Sequence, residues 1–113
     1  MNVSDAIQKY GLNIYAEGRL PEAEITGAYV SDLLSDVIGS AQQGQVWVTI
    51  HVHVNIVAVA VLKDLPAIII AKGKIPDADT VQKAREEGVY LLGTGSTTFD
   101  FAGTIFNDLK KGN

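Results

Sequence analysis

Two histidines, His51 and His53, stand two residues apart in the run Val46–Asn55. On a continued strand alternate side chains share a face, which would place the two roughly 7 Å apart at Cα. Such a pair binds a metal ion when a third ligand approaches, and Asp32 and Asp36 are the carboxylates available for that place. The structural alternative leaves one imidazole in solvent and hydrogen-bonds the other at a helix start. Two ligands without an evident third favour that alternative, so no metal and no cofactor is expected. Asp32 and Asp36 themselves lie four apart. Paired carboxylates can do acid–base work or hold Mg²⁺, but capping and complementing the dipole of a first turn is their commoner duty and the one favoured here.

The segment His51–Asn55 leads from a strand end into a helix start, where free amides and the positive end of the dipole suit an anion. Gly93-Thr94-Gly95-Ser96-Thr97-Thr98 is a second junction of the same kind. Its glycines let backbone approach a phosphate and its hydroxyls can donate, although no Gly-Lys-Ser/Thr follows and a P-loop is excluded. The bland readings are that Asn55 caps one helix and that Ser96 or Thr97 caps the other. Open α/β sheets bind ligands at such strand ends, so the candidate ligand-binding residues are Thr49, His51, His53 and Asn55 at one corner. Gly93, Thr94, Gly95, Ser96 and Thr97 form the other. No catalytic residue is assigned.

The elements that must position these corners follow from hydropathy. The chain has 113 residues, 47% hydrophobic and 19% charged, enough to bury a core as one domain. Nine Lys and Arg against thirteen Asp and Glu give a net charge of −4, which argues against a nucleic-acid binder. There is no cysteine, so disulfides and thiolate chemistry are excluded. No basic stretch and apolar run open the chain, and the longest apolar run, Ile56–Leu62, is far short of a membrane span. A cytoplasmic location is the default expectation.

Ser4 is the expected cap of a helix over Asp5–Tyr10 stopped by Gly11. Leu12, Ile14 and Ala16 alternate as a strand, Ala23–Val30 reads as a second, and Ser31 or Asp32 caps a helix over Leu33–Gln43. Val46, Val48, Ile50, Val52 and Val54 alternate with Trp47, Thr49, His51 and His53 as the clearest strand start. Trp47 suggests a strand buried on both faces, with a subunit interface as the alternative. Asn55–Asp64 is ambiguous on pattern, strand by its β-branched residues and helix by its length; helix is favoured. Ala67–Ala71 is a continuous apolar strand, Asp77 caps a helix over Ala78–Glu87, and Val89–Leu92 is a further strand. Phe99, Ala102, Ile105, Phe106 and Leu109 give a last helix its apolar stripe, with Lys110–Asn113 frayed. The alternation from Val46 onward predicts an α/β domain with a mostly parallel sheet flanked by helices.

Ser31-Asp32-Leu33-Leu34-Ser35-Asp36-Val37-Ile38, Val46–Ile50 and Asn55–Ala60 resemble the stand-alone proteins of the DRTGG-domain family. Ala67–Gly73, Pro76-Asp77, Ala84–Val89, Phe99 and Ala102-Gly103 are similar too, so that the resemblance runs from Val3 to Leu109. The literal DRTGG string is absent; the loop that would hold it falls at His51–Asn55. The family also looks related to the N-terminal domain of HPr kinase/phosphorylase. The resemblance implies an α/β layered domain, a helix over Asn55–Lys63, and a non-catalytic module of regulation or subunit contact. The resulting expectation is a regulatory homodimer that binds a small ligand, a nucleotide or other anion, or a protein partner. A passive scaffold and an unrecognised enzyme are the alternatives.

Overall fold

The computed structural model describes residues 1–112. Helix α1, Val3–Tyr10, starts on a reciprocal capping box: Asp5 N–H donates to Asn2 Oδ1 at 2.8 Å and Asn2 N–H to Asp5 Oδ2 at 2.9 Å. The cap is therefore Asn2 and not Ser4, whose amide is bound instead by the Pro21 carbonyl. The helix stops at Gly11, whose φ of 59° is left-handed.

Strands β1 (Asn13–Ala16), β2 (Gly27–Val30), β3 (Gln45–Thr49), β4 (Ala67–Ile70) and β5 (Tyr90–Gly93) form one sheet in the order β1-β5-β4-β3-β2. All pairings are parallel except β1 with β5. The α/β sheet expected from the sequence is present, and Ile56–Leu62 lies in a helix. Each step from β2 to β5 moves to the adjacent strand through a helix: α2 (Leu34–Ser40), α3 (Asn55–Lys63) and α4 (Ala78–Glu87). These three pack on one face over Trp47, Ile68, Ile70 and Leu91. Helices α1 and α5 (Thr98–Gly112) cover the other, over Val46, Val48, Ile69 and Leu92. Helices on both faces leave β4, Ala-Ile-Ile-Ile, fully buried throughout. Trp47 is interior as well, its Nε1–H donating to the Ser31 carbonyl at 2.8 Å, so it offers no surface to a subunit.

Several boundaries differ from the sequence reading. A register shift between Ile14 and Ala16 breaks the alternation of β1: Ala16 enters the core and Ile14 faces solvent. Of Ala23–Val30 only the last four residues pair as a strand, and α2 ends at Ser40 with Ala41 already extended. The stripe of α5 is rotated. Phe101 and Ile105 are buried, while Phe99 is 85% and Phe106 66% exposed. Phe101 turns inward because Tyr10 receives it edge-on, ring centroids 5.3 Å apart. The same Tyr10 donates its hydroxyl to Asp108 Oδ2 at 2.7 Å, tying α1 to α5. Burial and that carboxylate push the phenol pKa up, and the hydrogen bond from Tyr10 holds the Asp108 carboxyl below its ordinary range. Residues 110–112 continue α5, and Asn113 lies outside the described residues.

Candidate anion-binding rim

Parallel strands place their carboxyl ends along one rim, so the β3–α3, β4–α4 and β5–α5 loops are neighbours there. The middle loop ties the outer two together. Ala71 N–H donates to the Thr49 carbonyl at 2.9 Å, Lys72 N–H to Ser96 O at 2.7 Å, and Gly73 N–H to Thr94 O at 3.0 Å. The two corners singled out in the sequence thus belong to one surface, separated by β4 and hence by roughly 10 Å, two strand spacings.

At the first corner a knot of side chains ends the strand. Asp32 Oδ1 accepts from Thr49 Oγ1 at 2.8 Å and from Ile50 N–H at 2.9 Å, and Thr49 Oγ1 accepts from His51 N–H at 3.1 Å. These bonds replace the sheet ladder and turn the chain out of β3. Thr49 is fully buried with its hydroxyl engaged, which takes it out of reach of a ligand. Asp32 serves β3 and does not cap α2, whose cap position is held by Leu33. Asp36 accepts from the Tyr29 hydroxyl at 2.9 Å. Both carboxylates proposed as a third metal ligand are thus turned to other partners, and no group of three or more His, Asp or Glu gathers among the described residues.

The strand pattern does not continue to the histidines, so they do not share a strand face. Their rings meet edge to face, centroids 5.5 Å apart. His53 is exposed, and its Nδ1 lies 2.8 Å from Asp77 Oδ2. Asp77 spends its carboxylate there and makes no side-chain cap on α4. The Val52 carbonyl accepts from Thr80 Oγ1 at 2.8 Å and from Asp77 N–H at 3.1 Å, which docks the loop on the start of α4. His51 is different: its Nδ1 is buried and has no partner among the described residues. Asn55 is the first helical residue and not the cap; Val54 holds that position in helical geometry, and α3 opens with tight bonds from Ile56 to His53 and Val57 to Val54. The amides of His53, Val54 and Asn55 have no acceptor among the described residues.

The second corner is made by backbone together with two threonine hydroxyls. Thr94 N–H donates to Ile70 O at 2.9 Å, Thr94 Oγ1 accepts from Ser96 N–H, and Thr97 Oγ1 caps α5 by accepting from Asp100 N–H, both at 3.2 Å. The expected cap at Thr97 is present. Gly93 is buried against Tyr15, whose ring would sit 2.6 Å from a Cβ, so this glycine serves the packing of β1. Gly95 is exposed with open space where a Cβ would stand.

Lys72 and Lys74 were not singled out by the sequence reading. They flank Gly73 in the middle loop, exposed between the two corners, and Lys72 has a left-handed φ of 64°. That conformation costs a non-glycine residue roughly 1 kcal/mol. The available signal was two lysines around a glycine in a strand-to-helix loop. The opposite rim carries a groove of about 520 Å³ lined by Arg19, Gln43, Asp64, Leu65 and Glu87, where none of the candidate residues lies.

No family model matches the chain, and no curated protein matches it. A solved structure does: the CBS and DRTGG domains of the regulatory region of Clostridium perfringens pyrophosphatase, complexed with the activator diadenosine tetraphosphate, at a TM-score of 0.69 and 11% identity. The chain has a DRTGG/CBS-like fold. The match covers 96% of this chain and 46% of that one, so the chain spans about half the length of this structural neighbour. Among the described residues no helix is long and apolar enough to cross a membrane.

Proposed function

We propose that this protein is a non-catalytic regulatory module that binds a small phosphate-bearing anion on the rim of strand carboxyl ends and acts as a homodimer. The observation that carries the ligand reading is His51, a buried imidazole nitrogen that, with the amides of His53, Val54 and Asn55 that follow it, has no partner among the described residues. An unpaired buried polar group is costly, and a ligand that pairs it recovers that cost. Lys72 and Lys74 supply positive charge between the corners. The span of roughly 10 Å favours a ligand longer than orthophosphate, such as a nucleotide with its phosphate chain. The structural neighbour is a nucleotide-activated regulatory region, which agrees with this reading, although the activator there belongs to a region twice the length of this chain. The kinship to the HPr kinase N-terminal domain rests on the sequence resemblance alone.

A thermal-shift series with orthophosphate, pyrophosphate, ADP and ATP tests the site. A bound ligand raises the melting temperature by mass action. The rise is expected to be largest for ADP and ATP and to be lost in His51→Ala and Lys72→Ala. No shift with any of them at millimolar concentration would leave the passive scaffold as the better reading. Phosphate transfer from ATP by the pure chain would make it an enzyme.

A further inference from the structure

On helix α5 the face opposite the buried Phe101 and Ile105 carries Phe99, Asp100, Gly103, Phe106, Asn107 and Lys110, all exposed. At 100° per residue these six fall within about 60° of one line along the helix, centred on Gly103. The two phenylalanines form one flank and Asp100 with Asn107 the other. Between them lies an open groove of about 580 Å³. A side chain at Gly103 would meet nothing inside this molecule. Glycine is the poorest helix former after proline, so its place here has no intramolecular reason.

Resting on the homodimer reading above, we infer that this face is where two copies of the chain meet, with their α5 helices antiparallel and Gly103 on the two-fold axis. A two-fold of this kind brings each flank against the same flank of the other copy with the direction reversed. Phe99 then faces Phe106 of the second copy, twice, and Asp100 faces Asn107 of the second copy, twice. The carboxylate accepts from the carboxamide, and Lys110 of the second copy lies one turn further along, within reach of the same carboxylate. Glycine at the crossing lets the helices approach to the near end of the usual 8–10 Å spacing. The polar side of the face is thus complementary to itself, Asp100 of one copy meeting Asn107 and Lys110 of the other. A second exposed apolar stripe, Val54 with Ala58, Val61 and Leu62 of α3, contains no charged residue that would orient a partner.

Sedimentation equilibrium on the full chain, from micromolar to hundreds of micromolar, tests this. The wild type should dimerise. Gly103→Leu should weaken dimerisation at least tenfold without lowering the melting temperature of the monomer, because leucine favours the helix and fills only the groove. Asn107→Asp should weaken it similarly by setting carboxylate against carboxylate, and adding Asp100→Asn to that variant should restore it by exchanging the pair. A dimer indifferent to Gly103→Leu and Asn107→Asp would overturn this interface while leaving the homodimer reading standing. Failure of Asp100→Asn to rescue would overturn the pairing. A wild type that is monomeric throughout would overturn the homodimer reading itself.

Discussion

At the β3–α3 corner side chains turn the chain, with Asp32 bridging Thr49 and Ile50 and Thr80 holding the Val52 carbonyl. At the β5–α5 corner the backbone does it, through Thr94 to Ile70 and through Lys72 and Gly73 back to Ser96 and Thr94. The first corner therefore consumes polar side chains for its shape and, among the described residues, leaves amides and the His51 nitrogen unpaired. The second is held mostly by amides, with the Thr94 and Thr97 hydroxyls accepting from Ser96 and Asp100 N–H, and among the described residues it leaves Gly95 and the Ser96 hydroxyl open. Residue types that look functional are engaged in structure at the first corner, and a glycine that looks phosphate-binding is a packing residue at the second. The middle loop makes the two corners one surface.

Substitutions should separate the corners by this logic. Asp32→Ala should have the largest effect, about 3 kcal/mol by urea denaturation, because the buried Thr49 hydroxyl loses its acceptor and Ile50 N–H loses its own. Gly93→Ala should cost about 2 kcal/mol by the same measurement, since the added methyl overlaps the Tyr15 ring. Thr80→Val keeps shape and removes one bond to a carbonyl that retains Asp77 N–H; its expected cost is about 1 kcal/mol. Gly95→Ala should change the unfolding free energy from the same measurement by about 0.5 kcal/mol or less, as nothing stands near the new methyl. If Gly95→Ala proved as costly as Gly93→Ala, the assignment of packing to one glycine and openness to the other would be wrong. If Asp32→Ala proved as mild as Thr80→Val, the β3–α3 corner would not depend on its side-chain knot.

The sheet was legible because its signals are dense: the alternation through β3 and the short apolar runs of β4 and β5 suit strands covered on both faces, and α4 begins and ends where Asp77 and Gly88 indicate. Asn55–Lys63 was ambiguous because a helix buried along much of its surface loses its period; pattern alone only favoured a helix, and family resemblance added the support for α3. The rotated stripe of α5 was missed because Phe101 and Phe99 compete for one inward direction, and only the docking of Tyr10 decides between them. Both corners were located from the sequence, but the duties of their residues were not. Asp32 reaching Thr49 across 17 positions and Asp77 reaching His53 across 24 are tertiary contacts with no local signature. Asn55 illustrates the same limit: a good capping residue stands one position inside the helix because the Asp32 knot and Thr80 fix where the loop turns.

Titration of the ¹⁵N-labelled chain with ADP, followed by amide chemical shifts, distinguishes the two rims directly. Binding on the rim of strand carboxyl ends predicts saturable shifts at Val52–Asn55, Lys72–Lys74 and Gly95–Thr97. Shifts confined to Arg19, Gln43, Asp64 and Glu87 around the opposite groove, or none at millimolar ADP, would contradict it.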